Sequence, residues 1–209
     1  MPRSSWFDAL TVVQQQDQHA WLATLPSPIE RIANFGCLSG SEPFALLWTL
    51  NAKEVTVIDI EAKFLQEIDA QTSVLQARCP ESLRGRVINQ LCRDMTTYIP
   101  ELRDDSFDLA YCSNVLYALP LQGDPQALDR GVDQMVRILK PGGFLIAVEP
   151  KFGAQFQTRD LGFAGIQITV PIPISEATDM APVFASNPLL RYVLPSSPPN
   201  SYCYRKLTE

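Results

Sequence analysis

Residues 31–44 read RIANFGCLSGSEPF, from Arg31 to Phe44. The apolar run Ile29 to Phe35 is expected to be a strand. It breaks into a glycine turn, Gly36 to Gly40, and the chain restarts as a helix at Ser41, the expected N-cap. Glu42 and Pro43 then fall in the first helical turn, where an acid and a proline are both favoured. A strand, a glycine turn and a helix N-terminus in that order make a place where backbone approaches a ligand closely and free N–H groups meet an acceptor.

Working outward from that turn, Glu54 to Asp59 is a β-branched run closed by an acid, followed by a helical pattern through Ala62, Leu65, Ile68 and Leu75. Strand, turn, helix and strand within some thirty residues form a βαβ unit, so the sheet is at least partly parallel. Arg86 to Leu91 and Ser106 to Ser113 read as further strands, with Asp94-Met95 in the loop after the first and Asn114 to Tyr117 after the second. Asp124-Pro125 offers an N-cap and a first-turn proline for a helix through Leu128, Val132, Met135, Val136 and Leu139. Lys140-Pro141-Gly142-Gly143 is a breaker, and Phe144 to Val148 is a buried strand ending at Glu149. Ile166 to Val170 and Tyr202 to Leu207 are the last two strand candidates. The expected fold is therefore α/β: a doubly wound, Rossmann-like, seven-stranded, mostly parallel sheet with helices on both faces and an antiparallel last strand. Ligands belong beyond the carboxyl ends of its strands.

A single domain over 1–209 is expected, in three parts. Residues 1–28 carry amphipathic helical spacing at Trp6, Leu10, Val13 and Trp21, which suggests a helical cover. Residues 29–150 form the core. Residues 151–209 form the substrate side, with a proline-rich insert at 171–199 that reads as a further cover.

The formal net charge is −6 and no Lys/Arg stripe stands out, so nucleic acid is disfavoured as a partner. No apolar run is long enough to cross a bilayer, and the N-terminus lacks a signal-peptide core; a cytoplasmic protein without membrane contact is expected. The five cysteines are scattered and the one histidine is His19, which gives a metal site little to work with.

Taken together, the strand-end residues resemble those of the class I methyltransferases that use S-adenosylmethionine. The likeness spans Ile29 to Glu149. The family's first motif, an acid followed by G-x-G-x-G, corresponds to Asn34-Phe35-Gly36-Cys37-Leu38-Ser39-Gly40, with Asn34 in place of the acid and Leu38 in place of the middle glycine. The resemblance implies that Asp59, with Ile60 beside it, holds the ribose hydroxyls. It implies that Asp94 and Met95 meet the adenine, and that Ser113 and Asn114 close the site after the fourth strand. Cys37 to Phe44 is similar to the C-x-x-G-x-E-P-aromatic signature of chemotaxis receptor glutamate methyltransferases, where Glu42 would supply the carboxylate that Asn34 lacks.

The implied function is transfer of a methyl group from S-adenosyl-L-methionine to a small-molecule acceptor, leaving S-adenosyl-L-homocysteine. Tyr117, through its hydroxyl, and Glu149, as a carboxylate for an amine, are the candidate catalytic residues. Two other readings stand beside it. Asn34 and Leu38 suit an S-adenosylmethionine-binding protein without transferase activity. Asp59 would also suit a nicotinamide-dependent oxidoreductase, although Gly36 to Gly40 lacks the third glycine of G-x-G-x-x-G.

Overall fold

The computed structural model describes residues 20–25, 28–37, 40–120, 123–148, 184, 187–192 and 201–208. The expected N-terminal helix, apart from a 3-10 turn at Ala20–Thr24, lies outside the described residues. So do Glu149, the strand expected at Ile166–Val170 and most of the proline-rich insert.

The strands are β1 (Arg31–Phe35), β2 (Glu54–Asp59), β3 (Val87–Cys92), β4 (Phe107–Ser113), β5 (Leu139–Val148), β6 (Leu190–Tyr192) and β7 (Ser201–Lys206). The helices are α1 (Glu42–Thr49), α2 (Ala62–Arg78) and α3 (Ala127–Ile138). The sheet order is β3-β2-β1-β4-β5-β7-β6. All pairings from β3 across to β5 are parallel, and β7 runs against both of its neighbours. This is a Rossmann-like α/β fold with a mixed, mostly parallel sheet.

The pleat decides which side chain goes to which layer, because alternate residues of a strand face opposite sides. Ile32, Leu109, Tyr111, Phe144 and Ile146 enter one core with Phe44 and Leu47 of α1 and Leu65, Ile68 and Leu75 of α2. Ala33, Phe35, Ala110, Cys112, Leu145 and Ala147 enter the other with Leu128, Val132, Met135 and Val136 of α3. Most of these are fully buried, and each large apolar side chain removed from water contributes about 1.5–3 kcal/mol. Helices therefore flank both faces.

Local details differ from the expected elements. Ser41 stands at the N-cap of α1, as expected, although its side chain makes no capping bond. The helix expected to start at Asp124-Pro125 begins at Ala127; Asp124 instead accepts the Gln126 N–H through Oδ1 at 2.9 Å, forming a turn ahead of it. Between β3 and β4 the chain runs through turns with no helix. It leaves a cleft of about 310 Å³ beside Thr56, Leu91 and Phe107. Finally, β6 lies in the stretch read as a cover. Leu190 is buried, and Phe184 stacks on Tyr204 with ring centroids 5.0 Å apart, so this part of the insert completes the sheet edge. Pro188 flanks β6 at a sheet edge, where a missing N–H costs little.

The breaker Lys140 to Gly143 is not a turn before β5 but a bulge inside it. Phe107 pairs with Leu139 and Leu109 with Phe144, so the register slips across Asp108. Asp108 fills the gap: Oδ2 accepts the Glu30 and Arg31 N–H groups at 3.0 and 2.9 Å, and Oδ1 receives Lys140 Nζ at 2.6 Å. Arg31 in turn grips Glu54 through Nε at 2.9 Å, donates to the Ser106 carbonyl at 2.8 Å and lies over the Phe107 ring.

Gly143 sits in the tightest part of the bulge: a Cβ there would stand 2.9 Å from the Lys140 carbonyl oxygen and 3.1 Å from that of Asp108. Backbone atoms on both sides cannot swing aside. Gly143→Ala is expected to lower unfolding free energy by about 1–3 kcal/mol, read from urea denaturation midpoints. Wild-type stability in that variant would show that the bulge can relax.

Candidate active site

β1 is central, with β2 on one side and β4 on the other, and the helices after β1 and β4 leave to opposite faces. A crevice opens at the carboxyl ends where the winding direction reverses. Asn34, Gly36, Cys37, Glu42 and Asp59 come together there.

Gly36 is the hinge. Its φ is +73°, and a Cβ on it would lie 2.3 Å from Cγ2 of Val115, in the loop that follows β4. Only a residue without a side chain turns the chain left-handed under that loop. The Gly36 N–H still donates to the Ile58 carbonyl at 2.8 Å, so the turn is tied to β2. Gly40, also at positive φ, packs over Gln71 of α2.

Asp59, buried at the end of β2, collects the next donors. Its Oδ2 accepts the Cys37 N–H at 2.9 Å and the Cys37 thiol at 3.5 Å, while Oδ1 accepts the Glu61 N–H at 2.9 Å. Three donors hold the carboxylate in one orientation. Burial, followed by the charge of Asp59, its hydrogen bond and the charge of Glu42, pushes the Cys37 thiol well above its ordinary range. It stays protonated. Ile60, next in sequence, is 59 % exposed, an apolar side chain with no core to join.

Asn34 is completely buried at the end of β1 and donates through Nδ2 to Oε2 of Glu42 at 2.9 Å. Its Oδ1 is buried without a partner among the described residues. Glu42, in the first turn of α1, thus brings a carboxylate to within one hydrogen bond of the strand position where the family has its acid. A carboxylate there is also stabilised by the helix N-terminus.

After β3, Asp94 binds its own loop: Oδ1 accepts both the N–H and the hydroxyl of Thr96 at 2.8 Å. The loop is joined to the site because the Arg93 N–H donates to the Asp59 carbonyl at 3.0 Å. Met95 is buried in the core against α3, where its Cε would lie 3.3 Å from a Cβ on Gly131. After β4, Asn114 takes φ +55°, is exposed, receives no strain relief from burial, and donates from Nδ2 to Oγ of Ser113 at 3.2 Å. Its N–H donates to the Val148 carbonyl at 2.8 Å. Tyr117 follows in a half-buried 3-10 turn, Leu116–Ala118.

The structure therefore joins Asn34, Gly36, Cys37, Glu42 and Asp59 through direct hydrogen bonds or one shared turn, and sets Phe35 beneath them in the core. Sequence reading missed Glu61, Val115 and Gln71. Val115 carries the one available signal, a β-branched residue directly after an asparagine suited to positive φ.

Comparison with known proteins agrees with this geometry. A family profile described as a methyltransferase domain matches residues 33–147, more than half of the chain. The chain belongs to the class I, S-adenosylmethionine-dependent methyltransferases. The N-methyltransferase NodS from Bradyrhizobium japonicum WM9 is 18% identical and has a TM-score of 0.60, covering 96% of this chain and 99% of NodS. Its complex with S-adenosyl-L-homocysteine, also 18% identical, gives 0.56 over 94% of this chain and 86% of that one. A protein from Corynebacterium glutamicum, 19% identical, gives 0.54 over 97% and 82%. These likenesses show a shared fold. No curated protein matches the sequence.

The residues present fit the family's cofactor: a fixed carboxylate for a diol, a buried amide oxygen without a partner among the described residues, an exposed apolar side chain, and a turn opened by a glycine at positive φ. They also divide the thiols into two classes. Cys79 and Cys92 are exposed, whereas Cys37, Cys112 and Cys203 are buried, and burial pushes Cys203 up to about 12. Iodoacetamide at neutral pH should label Cys79 and Cys92 in the folded protein and all five after unfolding, by peptide mass mapping. Equal labelling of Cys203 in the folded state would contradict the packing of β7.

Proposed function

We propose that this chain transfers the methyl group of S-adenosylmethionine to a small-molecule acceptor bound beside the carboxyl ends of β1 and β4. The observation that carries it is the Asp59 carboxylate, immobilised by Cys37 and Glu61 beside the left-handed turn at Gly36. One carboxylate in that position can accept from two vicinal hydroxyls.

In this reading Asp59 holds the ribose and Ile60 lies along the adenine. Asp94 has Oδ2 free of the Thr96 bonds for the exocyclic amine. Asn34 Oδ1 and Glu42 take the methionine ammonium, with the Gly36 to Gly40 turn and Cys37 beneath the chain between them. Ser113 and Asn114 border the sulfonium end. Bound there, the cofactor supplies an electrophilic methyl group.

The protein's own part in such a displacement is alignment and exclusion of water, which needs no nucleophile from the chain. Tyr117 would orient an acceptor through its hydroxyl. Glu149, outside the described residues, follows β5 in sequence and would bind an amine or take its proton. Residues 29–150 then form the cofactor half, and 1–28 with 151–209 the acceptor side. The net charge of −6 and the absence of a basic stripe in the sequence favour a small molecule over nucleic acid. No helix among the described residues is long and apolar enough to cross a membrane. NodS, of nearly the same length, is named an N-methyltransferase, and its complex makes S-adenosyl-L-homocysteine a natural probe.

Calorimetric titration with S-adenosyl-L-homocysteine tests the site. Asp59→Ala should weaken binding by about 1.5–3 kcal/mol, tenfold or more. Unchanged affinity would remove Asp59 from the site. For the acceptor class, the protein is incubated with methyl-labelled cofactor and a cell extract. Label is expected in the metabolite fraction, and label confined to protein or RNA would overturn the small-molecule reading.

A further inference from the structure

A carboxylate offers about four acceptor positions on its two oxygens. Around Asp59 the described residues take three: Oδ1 by the Glu61 N–H, and Oδ2 by both the N–H and the thiol of Cys37. One position remains, while a ribose presents two vicinal hydroxyls. Two of the bound donors are backbone groups, and neither can leave without unmaking the turn or the start of α2. The third is a side chain whose proton turns away by rotation about the Cβ–Sγ bond, and S–H is the weakest donor of the three. It is also the longest contact, at 3.5 Å.

We propose that the Cys37 thiol is a displaceable stand-in for a ribose hydroxyl: it donates to Asp59 Oδ2 in the ligand-free protein and yields that position when the adenosyl group binds. This rests on the reading of Asp59 as the ribose acceptor and adds to it the device that keeps the carboxylate satisfied beforehand. The exchange swaps one hydrogen bond for another and breaks no covalent bond. The thiol is suited to the task. Its surroundings keep it protonated and therefore a donor at neutral pH. Its burial, with 1 % exposure, leaves water little access to compete. A serine would fill the same place with a stronger donor, and an alanine would leave Oδ2 with one acceptor position open. Cys37 is thus a positioning residue acting through Asp59.

Infrared spectroscopy of the S–H stretch reads the exchange without any turnover. The difference between wild type and Cys37→Ala isolates this thiol among the five; should that variant not fold, Cys37→Ser serves as the reference. In the ligand-free protein the band should lie low, as for a thiol bonded to a carboxylate, and S-adenosyl-L-homocysteine should raise it. In calorimetry, Cys37→Ser is expected to bind S-adenosyl-L-homocysteine roughly three- to tenfold more weakly, because the hydroxyl gives way less readily. Cys37→Ala should bind at least as tightly as wild type. A packing role alone would give the reverse order, with alanine the worst and the S–H band unmoved, and would overturn the proposal. If the ligand binds wild type, Asp59→Ala weakens it and the band stays still, only the role of Cys37 falls. If the ligand does not bind at all, the ribose reading falls with it.

Discussion

Everything at the working end of this sheet depends on the space that Gly36 leaves empty. β1 lies between β2 and β4, so the turn that ends it must pass under the loop that ends β4. Val115 already occupies the place where a Cβ would go. With a left-handed residue of no bulk at that point, the chain can reverse into α1, Cys37 can turn its N–H toward Asp59, and Asn34 can meet Glu42. A larger residue would separate strands that carry different parts of the site.

In the proposed function a family contact is kept while its residue is changed. An ionised carboxylate buried at the end of a central strand is expensive to desolvate, and here that position carries a neutral amide. The charge has moved to Glu42, in the first turn of a helix, where the dipole favours it by about 0.3–1 kcal/mol or more when partly buried. The amide connects the two positions by donating to Glu42, and its oxygen has no partner among the described residues. In the proposed function, the helix supplies the carboxylate that the strand lacks.

The parts of the fold that were legible in the sequence are those fixed by local pattern. The strand from Arg31, the acid closing β2 and the apolar run of β5 announce themselves by period and composition. The parts that were not legible depend on distant partners. Lys140 to Gly143 reads as a turn, yet Asp108, 32 residues from Lys140, makes it a bulge. Leu190 to Tyr192 is too short to show alternation and is a strand only because β7 offers an edge. At the site, Gly36, Cys37 and Asp59 carried a recognisable spacing, while Glu61 and Val115 act through a backbone N–H and a methyl group that no motif encodes. Met95, expected beside the adenine, is buried against α3, since an apolar residue at a loop start serves the core as readily as a ligand.

At the opposite end of the same strands lies the bulge network of Asp108, Lys140, Arg31 and Glu54. It ties the amino ends of β1, β2, β4 and β5 through contacts that take no part in the carboxyl-end crevice. The two ends of the sheet share none of these side-chain contacts. The amino end is held by the clamp, and the carboxyl end by the packing at Gly36. A chain built this way is open to redesign: new acceptor loops could be grafted onto the carboxyl ends, and the frame that must hold them would be carried by a clamp on the far side of the molecule.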